Sequence, residues 1–282
     1  MNQTIAHSLA KNTTVMMSSQ LITWVSSFIL MLVLPRSLGS EEYGRLYLAM
    51  SFTLMFQILI DFGGPYYIAK EIARGRGQAL TLVVHSLALR LLLWVVSLAT
   101  MIVFCHAVDY SSKVTTLILI LGVAKLWESA TRVFNSSFQG FEMMEYVSVG
   151  SVTERVSVTV ACLVMLMMGA DVVAIAVVMA FSTLLNFSVE AVFARKLFLR
   201  SIPGIQWRAV GELAKKGIPY FLYAIFAVVY YRVDAVMLSL MTTDIVVGWY
   251  GVAHRFFDVL MFLPSILATV VFPVLSRLNG VQ

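Results

Sequence analysis

The sequence predicts an all-α polytopic membrane protein of about eight transmembrane helices, and three observations predict it. The 282 residues are 60% hydrophobic and only 12% charged, with a mean hydropathy of +0.88, whereas soluble domains carry about 25% charge. Halving the charge removes the surface that keeps a globule in water. Apolar runs of about 20 residues, the length of one helical crossing of a bilayer, recur along the chain with short loops between them. The runs are also continuous, as in Leu117-Ile118-Leu119-Ile120-Leu121. They lack the period-2 alternation of a closed barrel, which leaves the helix as the structure that satisfies every backbone group in lipid. No length remains for a sizeable soluble catalytic domain.

Hydropathy places the spans at roughly 12–35, 43–65, 79–104, 114–137, 147–169, 171–194, 217–241 and 248–275. The start, Met1 to Gln20, lacks a basic region followed by a cleavage site, so the first span reads as a retained helix. The second reaches Asp61-Phe62-Gly63-Gly64-Pro65, which ends it, and loop bases such as Lys70 are the expected partners of Asp61. The third carries Arg90 near its middle and the fourth carries Lys125, Glu128 and Arg132. Glu154 and Arg155 in the fifth, and Glu190 in the sixth, lie near inner ends, where long side chains snorkel to the headgroups. The connection 195–216 is the longest, holds Ile202-Pro203-Gly204, and carries six bases against one Glu. Its 205–216 part could form an amphipathic helix on the membrane face, with Trp207 as interfacial anchor. Arg232 and Asp234 fall in the seventh span, Arg255 and Asp258 in the eighth. Cys105 and Cys162 both lie in apolar stretches and make no disulfide framework.

Charge sets the orientation. With the N-terminus inside, the inner segments hold Lys11, Lys70, Arg74, Arg76, Arg195, Lys196, Arg200, Arg208, Lys215, Lys216 and Arg277. The outer loops hold Arg36, Arg45 and Lys113. Such an excess in short loops puts both termini in the cytoplasm. The net charge of +5 is therefore read as a membrane signature and not as a nucleic-acid footprint. A shift of 204 residues superposes Lys11 on Lys215, Gly44 on Gly248, Ala49 on Ala253 and Phe52 on Phe256. The first and seventh helices then point the same way, as in transporters built of parallel repeats.

Three stretches carry a resemblance. They are Pro35-Arg36-Ser37-Leu38-Gly39-Ser40-Glu41-Glu42-Tyr43-Gly44 with Asp61-Phe62-Gly63 and Lys70-Glu71-Ile72-Ala73; Tyr231-Arg232-Val233-Asp234-Ala235-Val236-Met237-Leu238; and Val247-Gly248-Trp249-Tyr250 through Ala253-His254-Arg255 to Phe272-Pro273-Val274-Leu275-Ser276. In this order and spacing the chain resembles the polysaccharide and O-antigen flippases of the multidrug/oligosaccharidyl-lipid/polysaccharide exporter superfamily. The resemblance implies two helical lobes around a central cavity: a six-helix first lobe at 1–194, a basic cytoplasmic linker at 195–216, and the first two helices of a second lobe at 217–282. Against such a family the chain reads as C-terminally truncated. The expectation is a half-lined cavity and poor transport unless a second polypeptide completes it. The resemblance also implies movement of an undecaprenyl-pyrophosphate-linked oligosaccharide, an O-antigen or other surface-polysaccharide unit, across a bacterial inner membrane by alternating access. Implied partners are the polyprenyl-pyrophosphate-linked saccharide, membrane lipid and other surface-polysaccharide assembly proteins, with no nucleic acid and no cofactor.

Charges inside the spans are the candidate functional residues, because lipid-facing charge at mid-depth costs at least about 2.5–3.5 kcal/mol. Lys125, Glu128 and Arg132 share one helix face, which leaves one positive charge unmatched and suited to a pyrophosphate; a salt-bridge ladder is the alternative. Arg90 has no acid within one turn, so it either finds one on another helix or stays available to an anion. Asp234 and Arg255 are each about ten to eleven residues from the turn near 244, at similar depth, so they could pair across it. Arg232 and Asp234 point apart, and one of them is expected to line the cavity. Arg90, Lys125, Arg132, Arg232 and Arg255 are thus the candidate cavity cations, and Asp234, Asp258 and Glu128 the candidates for gating or ion coupling. Tyr66, Tyr67, Tyr220, Tyr223, Tyr230, Tyr231, Trp249 and Tyr250 read as interfacial belts or sugar platforms.

No G-x-x-x-x-G-K-[ST] loop, H-E-x-x-H or Cys/His cluster is present, so no built-in ATPase or metal site is expected. His7, His85, His106 and His254 read as helix-end or packed imidazoles. Two other functions fit the composition. A multidrug exporter of the same superfamily would favour an acidic cavity. A membrane-embedded glycosyltransferase or polymerase could use Glu41 and Glu42, although the outer loops are short for an acceptor.

Overall fold

The computed structural model describes residues 3–75, 79–197 and 203–260. Arg76, Arg200, Arg277, the segment Phe272–Ser276 and the second half of the eighth expected span lie outside the described residues. Eight helices run in order: α1 (Gln3–Asp61), α2 (Gly64–Arg74), α3 (Ala79–Ala107), α4 (Ser112–Gly140), α5 (Met144–Met167), α6 (Val172–Leu197), α7 (Trp207–Met241) and α8 (Asp244–Leu260). Among the described residues there is no strand. The chain is a polytopic all-α membrane protein.

The 59 residues of α1 are two helices joined at Gly39, whose φ of 77° and ψ of 168° are non-helical. A side chain disfavours that conformation, so glycine is what lets the chain reverse there. Ser19 bonds Ser148 at 3.2 Å and Thr159 donates to the Ser26 carbonyl at 3.4 Å. The first half of α1 therefore runs alongside α5 in the same direction. The second half runs back and ends where Phe62 stacks on Phe221, ring centroids 4.6 Å apart. The single helix thus supplies the first two expected spans. α3, α4, α5 and α6 supply the next four, and each is long and apolar enough to cross a membrane.

Connections alternate between two ends. At one, Lys113 reaches both Glu42 (2.8 Å) and Asp171 (3.1 Å), and Arg45 reaches Glu42 (2.7 Å), Asp244 (2.8 Å) and Glu41. These ties gather the reversal at Gly39 and the turns before α4, α6 and α8, the four connections expected outside. At the opposite end lie Asp61, α2 and the start of α7. The short helix α2 falls in a stretch expected to be a loop. Its Ile68 and Ile72, four residues apart, are fully buried, while Glu71 and Arg74 form an ion pair on its outer side. Gly140 makes room for it, since a Cβ there would lie 2.7 Å from the Ile72 Cβ.

The 195–216 connection is shorter than expected. α6 continues to Leu197, and residues 207–216 are the first turns of α7 instead of a separate surface helix. The exposed Trp207 opens that helix. Pro219, which removes an intrahelical donor, lies within it, and α7 bends by 55° between Trp207–Phe226 and Tyr230–Met241.

Residues related by the 204-residue shift meet. A Cβ at Gly44 would lie 2.8 Å from the Gly248 nitrogen and against the Asp244 carbonyl. A Cβ at Gly248 would lie 3.3 Å from the Gly44 nitrogen and against the Ser40 carbonyl. Asp244 is the shift-partner of Ser40, so the contact is reciprocal. One turn on, Gly251 presses on its own shift-partner Tyr47, 2.5 Å from a built Cβ to the ring. α1 and α8 therefore cross with backbones in contact, as small residues allow between membrane helices. Around this crossing packs the main core, including Leu46, Tyr47, Ala49, Leu117, Ile118, Cys162, Ile175, Ala235 and Val247. A second cluster, Ile68, Ile72, Val83, Val133, Phe134 and Phe138, seals the α2 end.

Candidate functional site

The site is a cavity of about 360 Å³ between both halves of α1 and helices α4–α8. Its size is at the small end of ligand pockets. Tyr43, Tyr47, Ser51 and Thr53 face it from α1 and Ser182 and Thr183 from α6. Five cations line it, Lys125, Arg132, Arg155, Arg232 and Arg255, against two carboxylates, Glu128 and Glu154.

Lys125, Glu128 and Arg132 form a ladder, with Lys125 and Arg132 each 2.7 Å from a different Glu128 oxygen. The ladder continues inward. Arg132 Nε lies 3.5 Å from Asp61 Oδ2, and Arg90 Nη1 lies 3.0 Å from Asp61 Oδ1. Arg90 also donates to the Ser129 carbonyl and is only 3% exposed. Of the two fates open to it, Arg90 takes the acid on another helix and is not among the cavity residues. Asp61 correspondingly pairs with Arg90 and Arg132, not with Lys70. Burial explains both: an arginine withdrawn from water and lipid needs its charge matched at close range.

At α7 and α8 the pairing differs from the expected Asp234–Arg255 contact. Arg232 Nη2 bonds Asp258 Oδ2 at 3.2 Å. Asp234 accepts from Tyr250 OH and from the Ala235 N–H (2.7 Å). His254 sits between the carboxylates, 3.5 Å from Asp258 Oδ1 and 3.9 Å from Asp234 Oδ2. Asp234 and Asp258 are thus outside the cavity lining, behind Arg232. Arg255 turns the other way and places Nη2 3.8 Å from Met50 Sδ. Among the described residues, Arg155 and Arg255 have no carboxylate within 4.0 Å, so neither is held in a salt bridge; Arg255 also hydrogen-bonds the Tyr43 side chain, and Arg155 lies near enough to Glu154 for their charges to interact.

Sequence reasoning passed over Arg155, Glu154 and Glu190 by assigning them to the membrane edge. Helical phase held the missing signal. Glu154 is one turn from the buried Val158, and Ser182, Asn186, Glu190 and Ala194 form a buried i, i+4 stripe on α6. The tyrosines that face the cavity, Tyr43 and Tyr47, are not those singled out for sugar contact. Tyr223, Tyr230 and Trp249 are exposed on the outside of the bundle.

Helices long and apolar enough to cross a membrane thus gather around a cavity lined by more cations than carboxylates. The chain belongs to the family described as "Polysaccharide biosynthesis protein", whose model matches residues 9–279. No curated protein matches it. Among solved structures it is similar to one described as "protein A", with a TM-score of 0.69, 15% identity and coverage of 92% of this chain and 62% of that one. It is also similar to one from Pyrococcus furiosus Vc1 (DSM3638), described with the words "Reverse polarity of binding pocket suggests different function of a MOP superfamily transporter" (TM-score 0.57, 17% identity, coverage of 88% and 61%). At these identities the likeness is one of fold. The chain spans about three-fifths of the length of both structures.

Proposed function

We propose that the chain is a flippase-type transporter, not an enzyme, for an anionic lipid-linked saccharide of the polyprenyl-pyrophosphate class. It would act in a bacterial inner membrane with both termini cytoplasmic, by alternating access between lobes. One observation carries the reading: five cations line the cavity against two carboxylates, and among the described residues neither Arg155 nor Arg255 has a carboxylate within salt-bridge distance. A pyrophosphate needs cationic donors not already spent on acids, and the planar guanidinium forks onto phosphate oxygens. The saccharide would share the cavity with the hydroxyls of Tyr43, Ser51 and Ser182, while the polyprenyl tail stays in lipid. Membrane lipid and surface-polysaccharide assembly proteins are the partners this role calls for.

The cation excess favours an anion over the cationic substrates of a multidrug exporter. Glu41 and Glu42, the pair a polymerase would use, are already tied to Arg45 and Lys113. The test is binding and flipping of a fluorescent polyprenyl-pyrophosphate saccharide in proteoliposomes, with the protein supplied at its full natural length. Each charge-assisted contact is worth about 1.5–3 kcal/mol. Arg255→Gln and Arg155→Gln should therefore each weaken binding by about ten- to a hundred-fold. Unchanged binding in both variants would remove the proposed anion site.

A further inference from the structure

Glu190, with Glu154, is a carboxylate the charge ladders leave out, and it is the more deeply buried of the two. It is fully buried on α6, at 0% exposure. No Lys, Arg or His among the described residues lies within 4.0 Å of it, whereas Asp61, Glu128, Asp234 and Asp258 all have such a partner. Its surroundings are amides and another acid. With its amide turned to donate, Asn135 of α4 places its nitrogen 3.0 Å from both Glu190 oxygens. Asn186, one turn back on α6 and 5% exposed, donates to Glu154 Oε2 at 2.6 Å. That bond fixes which end of the Asn186 amide points where, and its Oδ1 is left buried with no hydrogen-bond partner. Oδ1 is aimed at the space above Gly150 of α5. A Cβ there would lie 2.6 Å from Asn186 Oδ1, 2.9 Å from Glu190 Cγ and against Glu190 Oε1. Two acceptor oxygens therefore converge where only glycine leaves room. An ionised Glu190 would set lone pairs against lone pairs inside the bundle with no cation to offset them.

We propose that Glu190 is a proton-binding site, its neutral carboxyl donating to Asn186 Oδ1. One proton then completes the chain Asn135 to Glu190 to Asn186 to Glu154, in which each member donates to the next and Glu154 accepts at the cavity wall. It also gives the unpartnered Oδ1 its donor. The charged groups that face this chain are Glu154 and Arg155 from α5 and Lys125, Glu128 and Arg132 from α4; α6 brings Glu190 itself. Apart from Glu154, these act on the cavity end of the chain, so release of the proton would add a negative charge directly behind a cavity that the previous reading assigns to an anion. Proton occupancy and anion binding would then favour each other. The site itself stands without that reading.

The test is infrared difference spectroscopy of the full chain in lipid nanodiscs, without substrate. We expect a protonated-carboxyl C=O band at neutral pH that shifts in D₂O and disappears at high pH. It should be lost in Glu190→Gln, kept in Glu154→Gln, and moved in frequency in Asn186→Leu, which removes the acceptor and serves if Glu190→Gln does not fold. Absence of such a band from the unsubstituted protein at neutral pH would overturn the proposal. So would its persistence in folded Glu190→Gln, or its loss when sodium chloride replaces choline chloride at equal ionic strength, since sodium would then be the occupant. None of these outcomes depends on flipping.

Discussion

Arg90 shows what a buried charge demands of its neighbours. Its carboxylate partner Asp61 is shared with Arg132, so removing that one carboxylate strands Arg90 and leaves Arg132 with Glu128. Asp61→Asn is expected to destabilise the protein by about 3–5 kcal/mol, read as a fall in the thermal unfolding midpoint in detergent. Asp61→Asn with Arg90→Met should recover much of the loss, because a neutral, apolar replacement no longer needs the acid. Recovery would separate a packing role from an anion-binding role for Arg90. Composition and local spacing revealed that Arg90 is special but not which fate it takes, because the partner lies on another helix. That Lys125, Glu128 and Arg132 share one face was legible, by contrast, since i+3 and i+4 neighbours are fixed by helix geometry; whether they formed a ladder or left a free cation was not. Arg155, Glu154 and Glu190 were missed for the opposite reason. Their distance from a helix end suggested snorkelling, whereas the phase of the buried positions turns Glu154 and Glu190 inward and Arg155 onto the cavity.

Among the elements, the first helix depends most on single glycines. Gly39 holds a backbone conformation at φ 77° and ψ 168° that costs a side-chain-bearing residue about 1–3 kcal/mol. Gly39→Ala should therefore destabilise by that amount although a Cβ would meet nothing within 4 Å. At Gly44 and Gly248 the reason differs, since the helix backbones themselves stand in the way. Gly248→Val should cost at least the roughly 1–3 kcal/mol of an overpacked core and weaken the α1–α8 crossing, read as faster proteolysis between α7 and α8. Hydropathy made six of the spans legible within a few residues. It was blind to α2, whose buried face is chiefly Ile68 and Ile72 and too short to raise an apolar window. It also split α7 from its first turns, because Lys215 and Lys216 look like loop residues even when helical.

At the scale of the whole molecule, ionic ties gather the loops at one end of the bundle, while buried ion pairs at Asp61 and apolar packing hold the other. Arg45 and Lys113 together touch Glu41, Glu42, Asp171 and Asp244. Arg45→Met with Lys113→Met should loosen that end. A membrane-impermeant maleimide added from the side it faces should then label a Ser51→Cys cavity reporter several-fold faster. No change in labelling would mean that packing, not charge, closes that end. The crossing of Gly44 and Gly248 lies beside these ties, one residue from Arg45. From Gly44 to Asp61 the returning half of α1 runs about 25 Å at about 1.5 Å per residue. Pivoted at the Gly44 extremity, the helix would act as a lever. A tilt of about ten degrees would carry the Asp61 tip roughly 4 Å while scarcely stretching the Arg45–Asp244 bond. A close backbone crossing near one end would thus pass the larger displacement to the far end, where Asp61 holds Arg90 and Arg132.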